Sequence, residues 1–132
     1  MTPIYTEKAP KPVGPYSQAI MVGGFLFLSG QIGLDPHTGK LKEGFKEQAQ
    51  QIFKNIEAIL ETAGVGKEGI VRMVVYLKDL SLFGEFNQLY EEFFRDVKVK
   101  PVRTTVEVSH LPLGALIEVE ATAFMFKRWV LD

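Results

Sequence analysis

The chain has 132 residues, of which 46% are apolar and 23% charged, a globular balance rather than a disordered one. With 15 basic side chains against 16 acidic ones, the formal charge is −1, which argues against a surface built to coat nucleic acid or an anionic membrane. Cysteine is absent, and with it go disulfides, thiolate nucleophiles and Cys-ligated metal.

The length is that of a single domain, residues 1–132, large enough for a real core. His37 and His110 sit in a turn and a loop with no HExxH pattern, so no metal is expected, and no glycine run has the phosphate-loop spacing that would hold a nucleotide cofactor. No apolar run approaches the ~20 residues of a bilayer span. Residues 1–11 hold Pro3, Glu7, Lys8 and Pro10 and no hydrophobic stretch, so no secretory signal is read and a cytoplasmic protein without a membrane partner is expected.

Residues 1–15 carry four of the seven prolines and read as an irregular lead-in. Residues 17–22 and 25–29 are apolar and flank Gly23-Gly24, the signature of a tight hairpin. Over residues 43–63, Phe45, Ala49, Ile52, Phe53, Ile56, Ile59, Leu60 and Ala63 follow one face of a 3.6-residue period, and Gly64 supplies the stop. Residues 70–77 are β-rich and apolar on both parities apart from Arg72, which reads as a central strand covered on both faces.

Asp79 or Ser81 can cap a second helix reaching Asp96, with Leu82, Phe86, Leu89 and Phe93 as its stripe. Residues 102–108 alternate strictly, with Val102, Thr104, Val106 and Val108 pointing one way and Arg103, Thr105 and Glu107 the other. Residues 115–126 form a last strand, with Glu118 and Glu120 opposite Ile117, Val119 and Ala121. The order β-β-α-β-α-β-β predicts an α+β domain in which each helix crosses over between parallel strands. Two helices can cover one face of a five-stranded sheet; self-association is the simplest cover for the other.

No nucleophile constellation is visible, since the serines lie in no GxSxG context. Ionic residues on strands are more informative. Arg103 is either a solvated or ion-paired edge arginine or a planar fork that grips a carboxylate. Glu118, on the last strand and read as neighbouring the Arg103 strand, is either a surface glutamate or, if it lies near Arg103, a carboxylate that positions water. Tyr16 can be a turn tyrosine packed on the core, while Ser29-Gly30-Gln31 leaves its strand at a glycine, where bare backbone can approach a ligand.

Taken together, Gly14-Pro15-Tyr16-Ser17-Gln18-Ala19, Ser29-Gly30-Gln31-Ile32, Pro101-Val102-Arg103-Thr104-Thr105-Val106, Leu111-Pro112 and Ile117-Glu118-Val119-Glu120-Ala121 resemble the Rid family. These are the YjgF-like reactive-intermediate deaminases, and the likeness spans residues 10–126. It implies a chorismate-mutase-like α+β fold, two helices on one face of a mixed sheet, and a homotrimer with ligand sites at the subunit interfaces. By the same resemblance Arg103 binds the substrate carboxylate, Glu118 orients the hydrolytic water and Tyr16 lines the pocket from across the interface. Ser29, Gly30 and Asn87 match ligand-side positions. Thr105 stands where many members carry cysteine; its hydroxyl can still donate to a carboxylate.

The implied reaction is hydrolysis of a 2-imino acid, or its enamine tautomer (2-aminoacrylate or 2-iminopropanoate), to a 2-keto acid and ammonia. It needs neither covalent nucleophile nor metal, since a protonated imine is already electrophilic. The alternative is a trimeric regulatory protein that binds small carboxylates without turnover. RNA cleavage, ascribed to some members of the family, finds little support in a net charge of −1.

Overall fold

The prolines at the start of the chain do not prevent a strand. In the computed structural model, which describes residues 1–126, β1 (Thr2–Ile4) pairs antiparallel with β2 (Ala19–Val22). Pro3 is accommodated because β1 is the sheet edge, where one side of the strand needs no donor. The expected single domain of residues 1–132 thus extends six residues beyond the described ones. Gly23 and Gly24, at φ 54° and 90°, make the tight turn from β2 into β3 (Phe25–Leu28). A two-residue strand that the sequence reading did not include, β4 (Gln31–Ile32), follows.

Helix α1 (Phe45–Ala63) has the expected stripe and ends on Gly64 at φ 79°, whose N–H bonds back to the last turn. It starts two residues after the expected Glu43, behind Gly44 at φ 94°. After β5 (Ile70–Leu77) the carboxylate of Asp79 accepts from the Ser81 N–H at 2.9 Å, the expected cap. What it caps is a 3₁₀ turn, Leu80–Leu82, so α2 begins only at Phe83 (Phe83–Phe93). Strands β6 (Val102–Glu107) and β7 (Ile117–Phe124) complete the fold.

The sheet has seven strands among the described residues rather than five, in the order β1-β2-β3-β7-β5-β6, with β4 beside β3 along β7. It is mixed: β5 and β6 are parallel and the other pairs antiparallel. Helix α2 crosses between the parallel neighbours β5 and β6. Strands β3 and β5, joined through α1, also run parallel, but β7 lies between them and antiparallel to both.

One face of the sheet is closed by the helices. Met73, Val75 and Leu77 of β5 and Ile117, Val119, Ala121 and Ala123 of β7 are buried with Ile52, Ile56 and Ile59 of α1 and Phe86 of α2. Strand β5 is central, as expected, but it is covered on this face alone. Val74 and Tyr76 on its other face are half-buried and Arg72 is exposed, which corrects the expectation of cover on both faces within the chain.

Helix α1 also carries buried polar side chains. Asn55 Nδ2 donates to the Leu34 carbonyl at 3.0 Å, and Asn55 Oδ1 accepts from Gln51 Nε2 at 2.8 Å. Gln48 Nε2 donates to the Lys42 carbonyl, while its Oε1 accepts from the Leu116 N–H, both at 2.9 Å. These amides satisfy backbone groups that short β4 leaves unpaired. At Gly33 a Cβ would stand 2.6 Å from the Gln48 Cα, so glycine lets the helix backbone lie directly on the chain after β4.

Candidate functional site

Two clusters of functional side chains stand in different parts of the molecule. The first surrounds Glu118. Along β7, Phe27 pairs with Thr122 and Gln31 with Val119, so four steps on one side face three on the other. The extra residue is a bulge at Ser29-Gly30, the type of irregularity that re-aims backbone beside a site. Ser29 is pinned there: its N–H donates to the Gln18 carbonyl at 2.9 Å and its hydroxyl to the Ser17 carbonyl at 2.6 Å. A Cβ at Gly30 would lie 3.0 Å from Glu118 Cδ and collide with its carboxylate oxygen. Glycine therefore lets the Glu118 carboxylate rest against the bulge.

Pro10, Lys11, Tyr16, Gly30, Gln31 and Glu118 line one cleft. Tyr16 is 48% exposed there, and its hydroxyl accepts from the Val13 N–H at 3.2 Å, so it is a wall residue rather than a core tyrosine. The wall is held by buried Gln18. Its Oε1 accepts from the Thr6 N–H at 2.8 Å, and its Nε2 donates to the carbonyls of Thr6, Ala9 and Pro10 at 3.0, 3.3 and 2.9 Å. Burial, and secondarily the charge of Glu120, push the Glu118 carboxyl above its ordinary range. Glu120 itself accepts from the Tyr76 hydroxyl at 2.7 Å.

The second cluster surrounds Arg103 on β6, at the opposite edge of the sheet. Its guanidinium carbon lies 4.7 Å from the Tyr90 ring centroid, 5.4 Å from that of Phe83 and 5.5 Å from that of Phe86. The arginine is thus seated on aromatic faces of α2, a geometry that favours a cation and fixes a planar fork. No carboxylate pairs with it among the described residues. Asn87 shares a face of α2 with Phe83 and Tyr90 at helical spacing, and Thr105 follows Arg103 on the same face of β6. The hydroxyl oxygens of Thr105 and Tyr90 are both buried without a hydrogen-bond partner. Burial pushes the Tyr90 phenol up to about 12.

The two clusters do not meet within one chain. The reading of β7 as the neighbour of β6 is overturned, because β5 lies between them. Arg103 registers with Met73, on the helix-covered face, whereas Glu118 registers with Tyr76, on the open face. Side chains alternate across a strand, so the guanidinium and the carboxylate point to opposite sides of the sheet. The structure brings Tyr16, Gly30 and Glu118 together around the bulge that Ser29 anchors, and separately gathers Arg103, Thr105 and Asn87. Tyr90, Gln18 and Lys11 were not singled out from the sequence; Gln18 lies inside the Gly14–Ala19 motif, and Tyr90 sits four residues after Phe86 on a helix already read.

Residues 6–125 match the family described as Endoribonuclease L-PSP. The chain belongs to this family, the YjgF/RutC/Rid family. Among its Rid-family relatives, a RutC family protein of Aquifex aeolicus is 59% identical over 93% of this chain and 98% of its own length. The 2-iminobutanoate/2-iminopropanoate deaminase of Salmonella typhimurium is 43% identical over 91% of this chain and 94% of its own. The crystal structure of Escherichia coli TdcF with bound serine superposes with a TM-score of 0.91 at 35% identity, covering 96% of this chain and all of that one. The fold of two helices on a mixed sheet is the one expected of a Rid-family, chorismate-mutase-like domain. No helix of the described residues is long and apolar enough to cross a membrane.

Proposed function

We propose that the protein is a cytoplasmic hydrolase that converts 2-imino acids and their enamine tautomers to 2-keto acids and ammonia. In this reading one Rid-type domain per chain assembles as a homotrimer, and each site is completed between two copies. The observation that carries it is the division just described: a half-buried carboxylate over a glycine bulge on one side of the sheet, and on the other an unpaired guanidinium among residues with orphaned hydroxyls. Each half lacks what the other holds, and a second copy can supply it. The relative named as a 2-iminobutanoate/2-iminopropanoate deaminase supports the reaction class. The serine bound to TdcF supports a small α-amino or α-imino carboxylate as ligand.

Arg103 of one copy grips the substrate carboxylate with its fork, helped by Thr105 and with Asn87 on the ligand side of α2, and so fixes the imine carbon. Orientation is the larger part of such a contribution. Across the interface Glu118 accepts a proton from water as the water oxygen bonds to that carbon. Glu118 returns that proton to the carbinolamine nitrogen; the C–N bond then breaks as the carboxylate takes the hydroxyl proton and the keto oxygen forms, and this second proton leaves with ammonia as ammonium. Tyr16 and the Ser29-Gly30 backbone close the cleft around the attacked carbon. The protonated imine is itself the electrophile, so these groups need only hold, orient and relay the two protons of the attacking water.

A serine dehydratase can generate 2-aminoacrylate in situ, and its decay can be followed with and without the protein. Wild type should accelerate the decay, and Arg103→Ala should abolish the acceleration while leaving the fold intact. Equal rates for Arg103→Ala and wild type would remove the clamp from the mechanism. Glu118→Gln should still bind 2-oxobutanoate but turn over roughly 10²–10⁴-fold more slowly. Because the Glu118 carboxyl is raised, the acid limb of the rate profile should fall off at higher pH than an ordinary carboxyl would give. Glu120→Gln should shift that limb downward; an unmoved limb assigns it to another group.

The serine seen on TdcF also suits a non-catalytic sensor of small carboxylates. That second reading predicts tight ligand binding with ammonia release at background.

A further inference from the structure

The sequence motifs and the family account for Arg103 but leave Tyr90 without a task. Its hydroxyl is buried and bonded to nothing, although its ring carries the Arg103 guanidinium at 4.7 Å. A buried hydroxyl without a partner is unfavourable, and native structures rarely keep one without a reason. Thr105 Oγ1, on the Arg103 face of β6, is in the same condition. The Tyr90 ring lies against the guanidinium and Thr105 stands two residues from Arg103 on one face of β6, so both orphaned hydroxyls belong to residues grouped around one unpaired cation. Either oxygen could accept from a guanidinium N–H, but neither makes that bond, and neither hydroxyl proton finds an acceptor.

We infer that Tyr90 is a substrate-binding residue whose hydroxyl, with that of Thr105, donates to the carboxylate gripped by Arg103. The inference rests on the proposed carboxylate site and adds a residue to it. An ionised carboxylate has four lone-pair positions. The guanidinium fork occupies two of them, and two hydroxyl donors fill the rest. The ligand then satisfies both hydroxyls as well as the guanidinium. The Tyr90 phenol, pushed up to about 12 by burial, keeps its proton throughout the range in which a carboxylate is ionised, so it can serve as a donor. A neutral amide in place of the carboxylate would turn donors toward donors, so the cradle also selects an acid over its amide.

The arrangement has a signature that a purely structural tyrosine lacks. Tyr90→Phe keeps the ring under the guanidinium and removes only a hydroxyl that the free protein leaves unpaired. The free variant should therefore melt at the same temperature as wild type or higher. Its dissociation constant for 2-oxobutanoate, measured by calorimetry, should rise about tenfold, the scale of one hydrogen bond to a charged group. Binding of 2-oxobutanamide should change less, so the preference for acid over amide should narrow.

Unchanged 2-oxobutanoate affinity in Tyr90→Phe would overturn the inference. So would a melting temperature lowered by several degrees, which would mean that the hydroxyl is engaged within the protein. Wild type and Arg103→Ala run beside it. If wild type binds 2-oxobutanoate and Arg103→Ala does not, the carboxylate site stands and the outcome belongs to Tyr90 alone. If wild type binds no carboxylate, the site and the inference fall together.

Discussion

The two faces of the sheet are built from the same strands and have opposite fates. Under the helices, Met73, Val75, Leu77, Ile117 and Val119 are sealed against α1 and α2. On the other side Phe25, Phe27, Val102 and Val106 remain open to solvent, Phe27 at 44% and Val102 at 69%, beside Arg72, Glu118 and Glu120. A single chain therefore defines one interior completely and leaves the second as a mixture of apolar and charged groups. The sealed face makes a stable fold. The open face, and the edge strand β6, carry the parts from which the proposed chemistry is assembled.

Substitutions can sharpen that contrast. On the sealed face Ile56→Ala should be the most damaging, lowering unfolding free energy by about 2–5 kcal/mol, since Ile56 is fully buried and its cavity cannot collapse between helix and sheet. Denaturant midpoints measure it, and a loss below 1 kcal/mol would mean that the core is looser than its packing implies.

A smaller effect, of opposite sign, is expected beside the Glu118 cleft. Leu113 adopts φ 57° with its side chain 66% exposed, next to Pro112, which lines that cleft. Relieving the left-handed backbone with Leu113→Gly should stabilise the chain by about 1 kcal/mol. A destabilised variant would show that the exposed leucine is packed against another molecule in solution.

On the open face Phe27→Ser should change the stability of the subunit fold least, within about 0.5 kcal/mol as for other exposed positions. If copies cover that face, the same substitution should still shift the sedimentation coefficient toward the single chain. Unfolding on substitution would erase the distinction between the faces.

How much of this could be read from the sequence follows the same division. Helix α1 was legible because burial against the sheet imposes a 3.6-residue stripe, and its end was legible because Gly64 can take the left-handed conformation. Asp79 was legible as a cap because its side chain acts within two residues. The strict alternation of β6 showed that its two sides differ, but not which side meets the helices. Local pattern would turn Val102 and Val106 inward, whereas register with Met73 turns Arg103 and Thr105 toward α2.

The separation of Arg103 from Glu118 depends on strand order, with β5 inserted between β6 and β7, and no short window of residues encodes that. β1 was hidden by Pro3, which an edge strand tolerates. Gln18 and Asn55 were invisible to hydrophobic periodicity, although each secures a segment through buried amide hydrogen bonds. Motif likeness found Tyr16, Ser29, Gly30 and Glu118 together, and these do converge around one cleft and its bulge. It passed over Tyr90, whose apolar ring is ordinary and whose unpaired hydroxyl is visible only in three dimensions.

The Gln18 anchor bears on how the cleft can diversify. It hydrogen-bonds to main-chain atoms of Thr6, Ala9 and Pro10 and to none of their side chains. The path of the opening segment is thereby independent of the residues that decorate it. Replacements at Lys11 and Val13 can recolour the mouth of the pocket while the tether stays in place, which makes these two positions the natural place to retune what enters.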